Sequence, residues 1–381
     1  MRSGTNDAPS APEVWGLALA MASLPEAGPA RRLALWRAGA PEEVWDAIRL
    51  GRAHRLDGLA APMAPDPARL AVRWGQSASQ CSPDDLLRAH LSRGRGITVL
   101  GSPSYPEVLA ADREPPTVLC FEGDLDVLSG PRVAIVGTRR CTRYGRDLAV
   151  ELGGELASAG VAVVSGLAAG IDAAAHRGAL EVSGAAPVAV VGTGLDRCYP
   201  VSHTELAATV AERGVVLSEQ LLGTPPRAWH FPSRNRIIAA LADVVVVVES
   251  ALTGGSMYTA READDRGRQV LAVPGSVRSP ASAGTNELLR ACGVATGAAD
   301  VLVALNLSPG GTRRAREARP EPSPTAARIL DALGWQPAVL DQLVVRTALT
   351  VAEVAAGLEE LEMHGWVSAA GPTWERRAGR S

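Results

Sequence analysis

Lysine is absent from this chain: all 38 basic residues are arginine. That absence excludes two chemistries at once. A Walker A phosphate loop places a lysine at the β/γ-phosphates, and a Schiff-base enzyme needs a lysine amine. Aromatic residues are the second scarcity, at eight Trp, four Tyr and two Phe, so the core must be mostly Ala, Val and Leu and the place of each ring is informative. Cysteine is sparse too: Cys81, Cys120, Cys141, Cys198 and Cys292 are odd in number, widely spaced and never in a C-x-x-C pair. Neither a metal site nor a disulfide framework is expected, and a reducing cytoplasm fits. The stretch MRSGTNDAPSAPEVW has no apolar core of signal-peptide length, and no run of about 18 apolar residues follows. The expectation is a cytoplasmic protein with no membrane partner.

At about 150 residues per domain, the length predicts two or three domains. The formal charge of −3, with 46% hydrophobic and 21% charged residues, is that of a soluble globular chain. Residues 1–95 read as a small helical accessory domain. From Glu13 to His90, Leu, Ala, Trp and Arg recur at helical spacing, broken by Pro25, Pro41, Pro62, Pro65, Pro67 and Pro83, with Trp15, Trp36, Trp45 and Trp74 in its core. Ile97–Leu100 and Val118–Phe121 then read as edge strands. From Arg132 onward come short β-branched runs: Val133–Val136, Val161–Ser165, Val188–Val191, Val215–Leu217, Val244–Val248 and Val270–Val273. Continuous rather than alternating hydrophobicity predicts strands buried on both faces. The fold class is therefore α/β, a Rossmann-like, doubly wound and mostly parallel sheet over residues 96–305. Residues 306–324 read as a linker carrying Arg313, Arg314, Arg316 and Arg319. Residues 325–381 predict a winged helix, with helices at Thr325–Leu333, Ala338–Ala348 and Thr350–His364 and a wing over Gly365–Arg376. Thr350 and Glu353 have the spacing of a capping box.

In a parallel sheet, ligands bind outside the carboxyl ends of the strands, where helix N-termini present free amides. Four of these strand ends run into glycine loops: GTRRCTRYG (Gly137–Gly145), SGLAAGIDAAAH (Ser165–His176), GTGLDRCYP (Gly192–Pro200) and ESALTGGSMYTA (Glu249–Ala260). Glycine lets backbone amides approach an anion closely. The anion is not a dinucleotide cofactor, because G-x-G-x-x-G is missing and no acidic residue ends the second strand; no cofactor is expected. Arg139, Arg140, Arg143, Arg197, and Arg234 and Arg236 in FPSRNRII stand in or beside the loops. Guanidinium forks suit a row of phosphates better than one small ligand. The five rings of this region, Tyr144, Tyr199, Trp229, Phe231 and Tyr258, lie in or beside the same loops and outside every predicted strand. Arginines on phosphates with flat rings for unstacked bases form a single-stranded nucleic-acid site.

Catalytic candidates are few. Asp172 and His176 lie one helical turn apart, a spacing that suits capping and packing, and His230 and Glu249 have no serine or cysteine nucleophile beside a base. His54, His90, His203 and His364 read as surface or core residues. No catalytic residue is assigned, and the chain is not expected to be an enzyme.

Taken together, VAIVGTRRCTRYG, VVSGLAAGIDAAAH, VVGTGLDRCYP, FPSRNRIIAAL, VVVVESALTGGSMYTA and VLAVPGS followed by SAGTNELLR resemble, in order, the motifs of the DNA-processing protein A (DprA/Smf) family. These are recombination mediators of bacterial natural transformation. The resemblance spans about Gly96 to Val301, and the helical and winged-helix ends resemble accessory domains of that family. It implies sequence-independent binding of single-stranded DNA, dimer formation, protection of incoming DNA, and loading of a RecA-type recombinase onto DNA held by single-strand-binding protein. Its motifs carry the DNA-binding role onto Arg139 first, then Ser165, Gly166 and Gly170, then Arg234, Asn235 and Arg236. The glycine-loop reading adds Gly137, Gly194, Arg197 and Ser256. Three positions depart from the family pattern: Ala169 where a basic residue is common, His203 for Asn, and Gly254 for Ser.

Two other readings stand beside this one. GGSMYTARE resembles part of the PGG-x-GT-x-x-E loop of phosphoribohydrolases that cut a nucleotide's glycosidic bond, with Glu262 near the acidic position. A regulator would instead read duplex DNA through the winged helix, but TVAEVAAGLEELEMHG carries Glu353, Glu359, Glu360 and Glu362 and no arginine, which suits protein contact better than a major groove.

Overall fold

The computed structural model describes residues 12–307 and 320–377, which fall into two compact units at that division. Linker residues Arg313, Arg314, Arg316 and Arg319 and most of the amino-terminal stretch lie outside the described residues.

Proline sets the pattern of the amino-terminal region. Helices α1 (Pro12–Ala22), α2 (Pro29–Arg37), α3 (Pro41–Arg49), α4 (Pro67–Ala78) and α5 (Pro83–Leu91) each begin at a proline, whose fixed φ and missing N–H cost nothing at a first helical position. Trp74 is fully buried, its Nε1 donating to Pro25 O at 2.8 Å, and Trp45 is buried beside it. These helices do not stand apart from the sheet. Ala18, Leu19, Ala22 and Leu87 pack directly on Ile97, Val99, Val118 and Cys120 of its first two strands.

The sheet has nine strands: β1 (Gly96–Val99), β2 (Val118–Gly123), β3 (Arg132–Val136), β4 (Ala162–Ser165), β5 (Val188–Val191), β6 (Val215–Ser218), β7 (Val244–Val247), β8 (Gln269–Ala272) and β9 (Gly293–Val294). Their order is β1-β2-β6-β5-β4-β3-β7-β8-β9. The β1–β2 and β2–β6 pairings are antiparallel and all the others parallel. The continuous valine runs have the reason expected of them: Ala134, Val136, Val245 and Val247 face one core, and Val133, Ile135, Val244 and Val246 the other.

Helices cover both faces: α6 (Glu107–Ala110), α7 (Arg143–Ser158), α8 (Ile171–Leu180), α9 (Thr204–Arg213), α10 (His230–Leu241), α11 (Gly255–Asp264), α12 (Ala283–Leu288) and α13 (Ala298–Ala304). Helices α7 and α8 touch through glycine. A Cβ at Gly178 would stand 1.9 Å from Val150 O, and one at Gly153 2.2 Å from Ala175 O. After β3 the chain builds β4, β5 and β6 to one side, then crosses to place β7 on the other. The strand order reverses between β3 and β7, which is where an open α/β sheet leaves a crevice.

The second unit is a winged helix: α14 (Pro324–Leu333), β10 (Ala338–Val339), α15 (Leu340–Thr347), α16 (Val351–Met363), β11 (Val367–Ala370) and β12 (Thr373–Arg376). Ile329, Leu333, Leu343, Val354, Leu358, Leu361 and Val367 fill its core. Its second helix begins two residues later than expected, because Ala338 and Val339 pair with Trp374 and Thr373 of the wing. The capping box at Thr350 is formed: Glu353 N donates to Thr350 Oγ1 at 3.3 Å, and Thr350 N to Glu353 Oε2 at 2.8 Å. On the same helix, Glu360 accepts from Ser323 and Glu362 from Ala369 N, so these acids serve the domain's own packing. Among the described residues no helix is long and apolar enough to cross a membrane.

Candidate nucleic-acid interface

A groove of about 740 Å³ opens at the carboxyl ends of the strands, at the reversal point between β3 and β7. Five chain segments meet there: residues 136–140 after β3, Ala168 and Asp172 after β4, Tyr199 after β5, residues 226–238 leading into and through the first turns of α10, and residues 251–259 after β7. Glu249 braces this arrangement. Buried at the end of β7, it accepts from Thr142 N at 2.8 Å and Thr142 Oγ1 at 2.5 Å, while its own carbonyl accepts from Thr138 N at 2.7 Å. That carboxylate therefore locks the arginine loop against the neighbouring strand and is not poised beside a reacting group.

Arg139, Arg140 and Arg227 line the groove, are exposed, and form no ion pair among the described residues. The Arg139 guanidinium stands 4.8 Å over the ring of Phe231, which is 5.5 Å from the ring of Tyr199. Tyr258, half exposed, adds a third ring to the lining. Cations fixed over ring faces next to exposed rings give a surface that holds phosphates and unstacked bases together.

Of the sequence candidates, Gly137, Arg139, Arg234, Asn235 and Ser256 line this groove. Asn235 Nδ2 donates to Gly255 O at 3.2 Å and Ser256 Oγ to Ser250 Oγ at 2.8 Å, so both secure the start of α11. Arg234 is buried beneath the groove, donating to Gly166 O at 2.7 Å and to Val190 O. Burial lowers its guanidinium to about 10, against the opposing pull of Asp172, whose own carboxyl is raised by burial. Gly166 N donates to Asp172 Oδ2 at 3.2 Å. Arg234 thus ties two strand ends and an acid together under the floor.

The remaining candidates are placed elsewhere. Arg236 does not line the groove; its guanidinium is buried, paired with Glu219 and bonded to Glu114 O at 2.6 Å. A helix presents residues two apart to different sides, so Arg234 and Arg236 cannot both face one strand of nucleic acid. Ser165 is fully buried and spends its hydroxyl on Ile135 O at 2.6 Å. Gly170, at φ 84°, caps α8 in a conformation that favours glycine. Gly194 N donates to Thr224 O at 3.1 Å between two loops, and Arg197, whose N donates to Gly194 O at 2.9 Å, is exposed but off the groove. Of the rings, Tyr144 lies outside the lining and Trp229 faces a neighbouring cavity.

Arg227 was missed by sequence reasoning. Its signal was present in PPRAWHF, where two prolines precede the arginine and the rings of Trp229 and Phe231 follow it. His203 Nδ1 donates to Leu167 O at 2.8 Å and the side chain is buried, which gives that departure from the family pattern a local role. Glu262 faces away from the groove, held by Arg266 and by Arg113 at 3.6 Å, so the carboxylate a glycosidic cleavage would need is engaged elsewhere. His176 is fully buried with neither ring nitrogen hydrogen-bonded, and burial holds it down to about 3.

The sequence model of the family described as DNA recombination-mediator protein A matches residues 96–306, and that of the DprA winged helix domain matches residues 313–371. Protein Smf of Escherichia coli is 37% identical over 273 residues, covering 70% of this chain and 73% of that protein. DNA processing protein DprA of Bacillus subtilis is 38% identical over 206 residues, covering 54% and 69%. The X-ray structure of DNA processing protein A from Streptococcus pneumoniae superposes with a TM-score of 0.64 at 31% identity, covering 76% of this chain and 97% of that one. A structure of DNA processing protein A from Helicobacter pylori, described for its single-stranded DNA binding mode, gives a TM-score of 0.50 at 31% identity, covering 55% and 95%.

Proposed function

The chain belongs to the DNA recombination-mediator protein A family, and from that premise we propose that it binds single-stranded DNA without sequence preference, protects it, and loads a RecA-type recombinase onto it during natural transformation. The observation that carries this reading is the convergence of three exposed arginines, without an ion pair among the described residues, with the rings of Tyr199, Phe231 and Tyr258 on one groove. Phosphates bind Arg139, Arg140 and Arg227, while bases freed from stacking lie on the rings, so recognition needs no base-edge code. No bond-breaking step is included in the reading. Asp172, Glu249 and Glu262 are each engaged in structural contacts. A homodimer and contact with single-strand-binding protein belong to the same proposal, as does a winged helix whose acidic α16 meets protein and not duplex.

A mobility shift on single- and double-stranded oligonucleotides, with and without the recombinase, tests substrate and partner together. The expected result is preference for the single strand, weakening as salt rises with a log–log slope of about −0.7 per phosphate held, and a ternary complex on adding recombinase. Equal binding of both strands' forms by the wild type, or an Arg139→Ala variant that binds oligo-dT as tightly as the wild type, would overturn the reading.

A further inference from the structure

Behind one wall of the groove lies a second cavity, of about 910 Å³, between α1, α2 and α5 of the amino-terminal helices and residues 220–230 of the sheet region. The two cavities share that wall. Pro226, Ala228 and Phe231 line the groove, Pro225, Trp229 and His230 line the second cavity, and Arg227 lines both.

The second cavity has the chemistry of a nucleotide site. Arg32 lines it, donating through Nη1 to Glu219 O at 3.0 Å, and its Nε is buried without a partner. Arg236 already occupies the Glu219 carboxylate, so two guanidiniums face one acid and a positive charge is left over at the cavity's inner end. Glu26, the acid in the lining, is held by Arg31 and Arg73. At the mouth, Arg93 is half exposed and pairs with Asp196 at 3.3 Å. His230 is 2% exposed and its Nδ1 finds no hydrogen-bond partner. Beside it Trp229 is 52% exposed, its ring 4.0 Å from the imidazole in an edge-on arrangement. A large exposed indole beside an unfilled polar group, with the guanidinium of Arg32 uncompensated at the inner end, suits a base with its phosphate.

Resting on the single-strand reading of the groove, we propose that the DNA strand crosses the 225–231 wall at Arg227 and that its next nucleotide enters this second cavity, its base against Trp229 and its phosphate toward Arg227 and toward Arg93, whose exposed pairing with Asp196 the phosphate displaces. The amino-terminal helices then form part of the DNA path, one side of a nucleotide pocket whose other side is the sheet. A free nucleoside monophosphate has the same chemistry, but Arg227, common to both cavities, favours the continuing strand.

Oligo-dT of increasing length, from about 6 to about 20 nucleotides, measures this directly by fluorescence anisotropy on the full chain. The wild type should gain affinity once the strand is long enough to span both cavities. Arg93→Ala and Trp229→Ala should bind the shortest oligonucleotide as the wild type does and lose the gain with length, by roughly fivefold or more for Trp229→Ala, with Trp229→Phe restoring most of it. If both variants keep the full gain, or Trp229→Ala weakens every length equally, the inference is wrong while the groove reading stands. If labelled thymidine monophosphate binds the wild type but not Trp229→Ala, and the length gain is intact in both, the cavity is a free-nucleotide pocket and the inference also fails. If no oligonucleotide binds the wild type, the groove reading itself falls and takes this one with it.

Discussion

The groove at the strand ends and the seam below it use the same cation in opposite ways. Arg139, Arg140 and Arg227 at the groove are exposed and lack ion pairs among the described residues. At the seam, where connector residues 112–114 meet α10 and α11, Arg236 faces Glu219 and the Glu114 carbonyl, while Arg266 faces Asp112 at 2.7 Å and Glu262. Both sets are arginine because the chain has no other strong cation. What separates them is desolvation. The seam guanidiniums are matched by carboxylates and carbonyls and have nothing left for a ligand, whereas the exposed ones of the groove stay hydrated and free to exchange water for phosphate. A net charge of −3 is therefore compatible with a DNA groove, since Glu219, Asp112 and Glu262 are spent on the buried arginines of the seam and not on those of the groove.

The seam should break first and hardest. Arg266→Ala leaves Asp112, itself 6% exposed, as an uncompensated buried charge. The expected loss is about 3–5 kcal/mol of stability, read from urea unfolding, with oligonucleotide affinity of the remaining folded protein unchanged. An Arg266→Ala variant of full stability would remove the distinction between the two arginine sets.

A second break runs through the interior beneath the groove. His176 is fully buried, with burial the largest cause and nearby Arg234 a further one of its fall from 6.5 to about 3. The folded state therefore refuses a proton that the unfolded chain accepts below about pH 6.5. Stability from this group is fully present above that value and declines as the pH falls toward 3, by up to about 1.4 kcal/mol per pH unit. Urea titrations at neutral pH and near pH 5 should show a fall of roughly 2 kcal/mol, and His176→Gln should flatten the slope by about one proton. An unchanged slope would place the imidazole in contact with water.

The groove's own arginine comes next in size. Arg139→Ala should leave stability within about 0.5 kcal/mol, since the side chain is exposed. Single-strand affinity should drop roughly tenfold, about 1.4 kcal/mol, with the salt slope shallower by about 0.7. Anisotropy at several salt concentrations separates this from a general loss of folding.

Much of the fold was legible because its signals are local. Strands β3 to β8 appear as valine runs with no polar interruption, the helices of the amino-terminal region announce their starts with proline, and Thr350 and Glu353 announce a cap. The groove's position followed from topology, as the loops after β3 and β7 meet where the order reverses. What the sequence could not separate was use. Arg234 and Arg236 flank Asn235 in one motif, and only the turn of α10 decides that one lies under the groove and the other in the seam. Ser165 and Glu249 likewise look available until Ile135 O and Thr142 are brought against them by strand pairing across distant segments. The antiparallel pairing of β2 with β6, which carries the amino-terminal helices to the wall of the second cavity, leaves no mark in the residues of either strand.

The smallest effect is the one that tests position against charge. Arg197 is exposed like Arg139, sits in a glycine loop like Arg139, and differs in lying outside the groove lining. If phosphate is held by a specific surface, Arg197→Ala should change single-strand affinity by no more than about twofold, because a lone exposed charge beyond direct contact is screened over about 8–10 Å at ordinary ionic strength. The difference from Arg139→Ala should persist as salt is raised, since a contact that fixes a phosphate against Phe231 is screened less than a distant field. Equal losses for the two variants would mean that the loops act as a diffuse basic rim, with the rings of Tyr199 and Phe231 serving only to brace it.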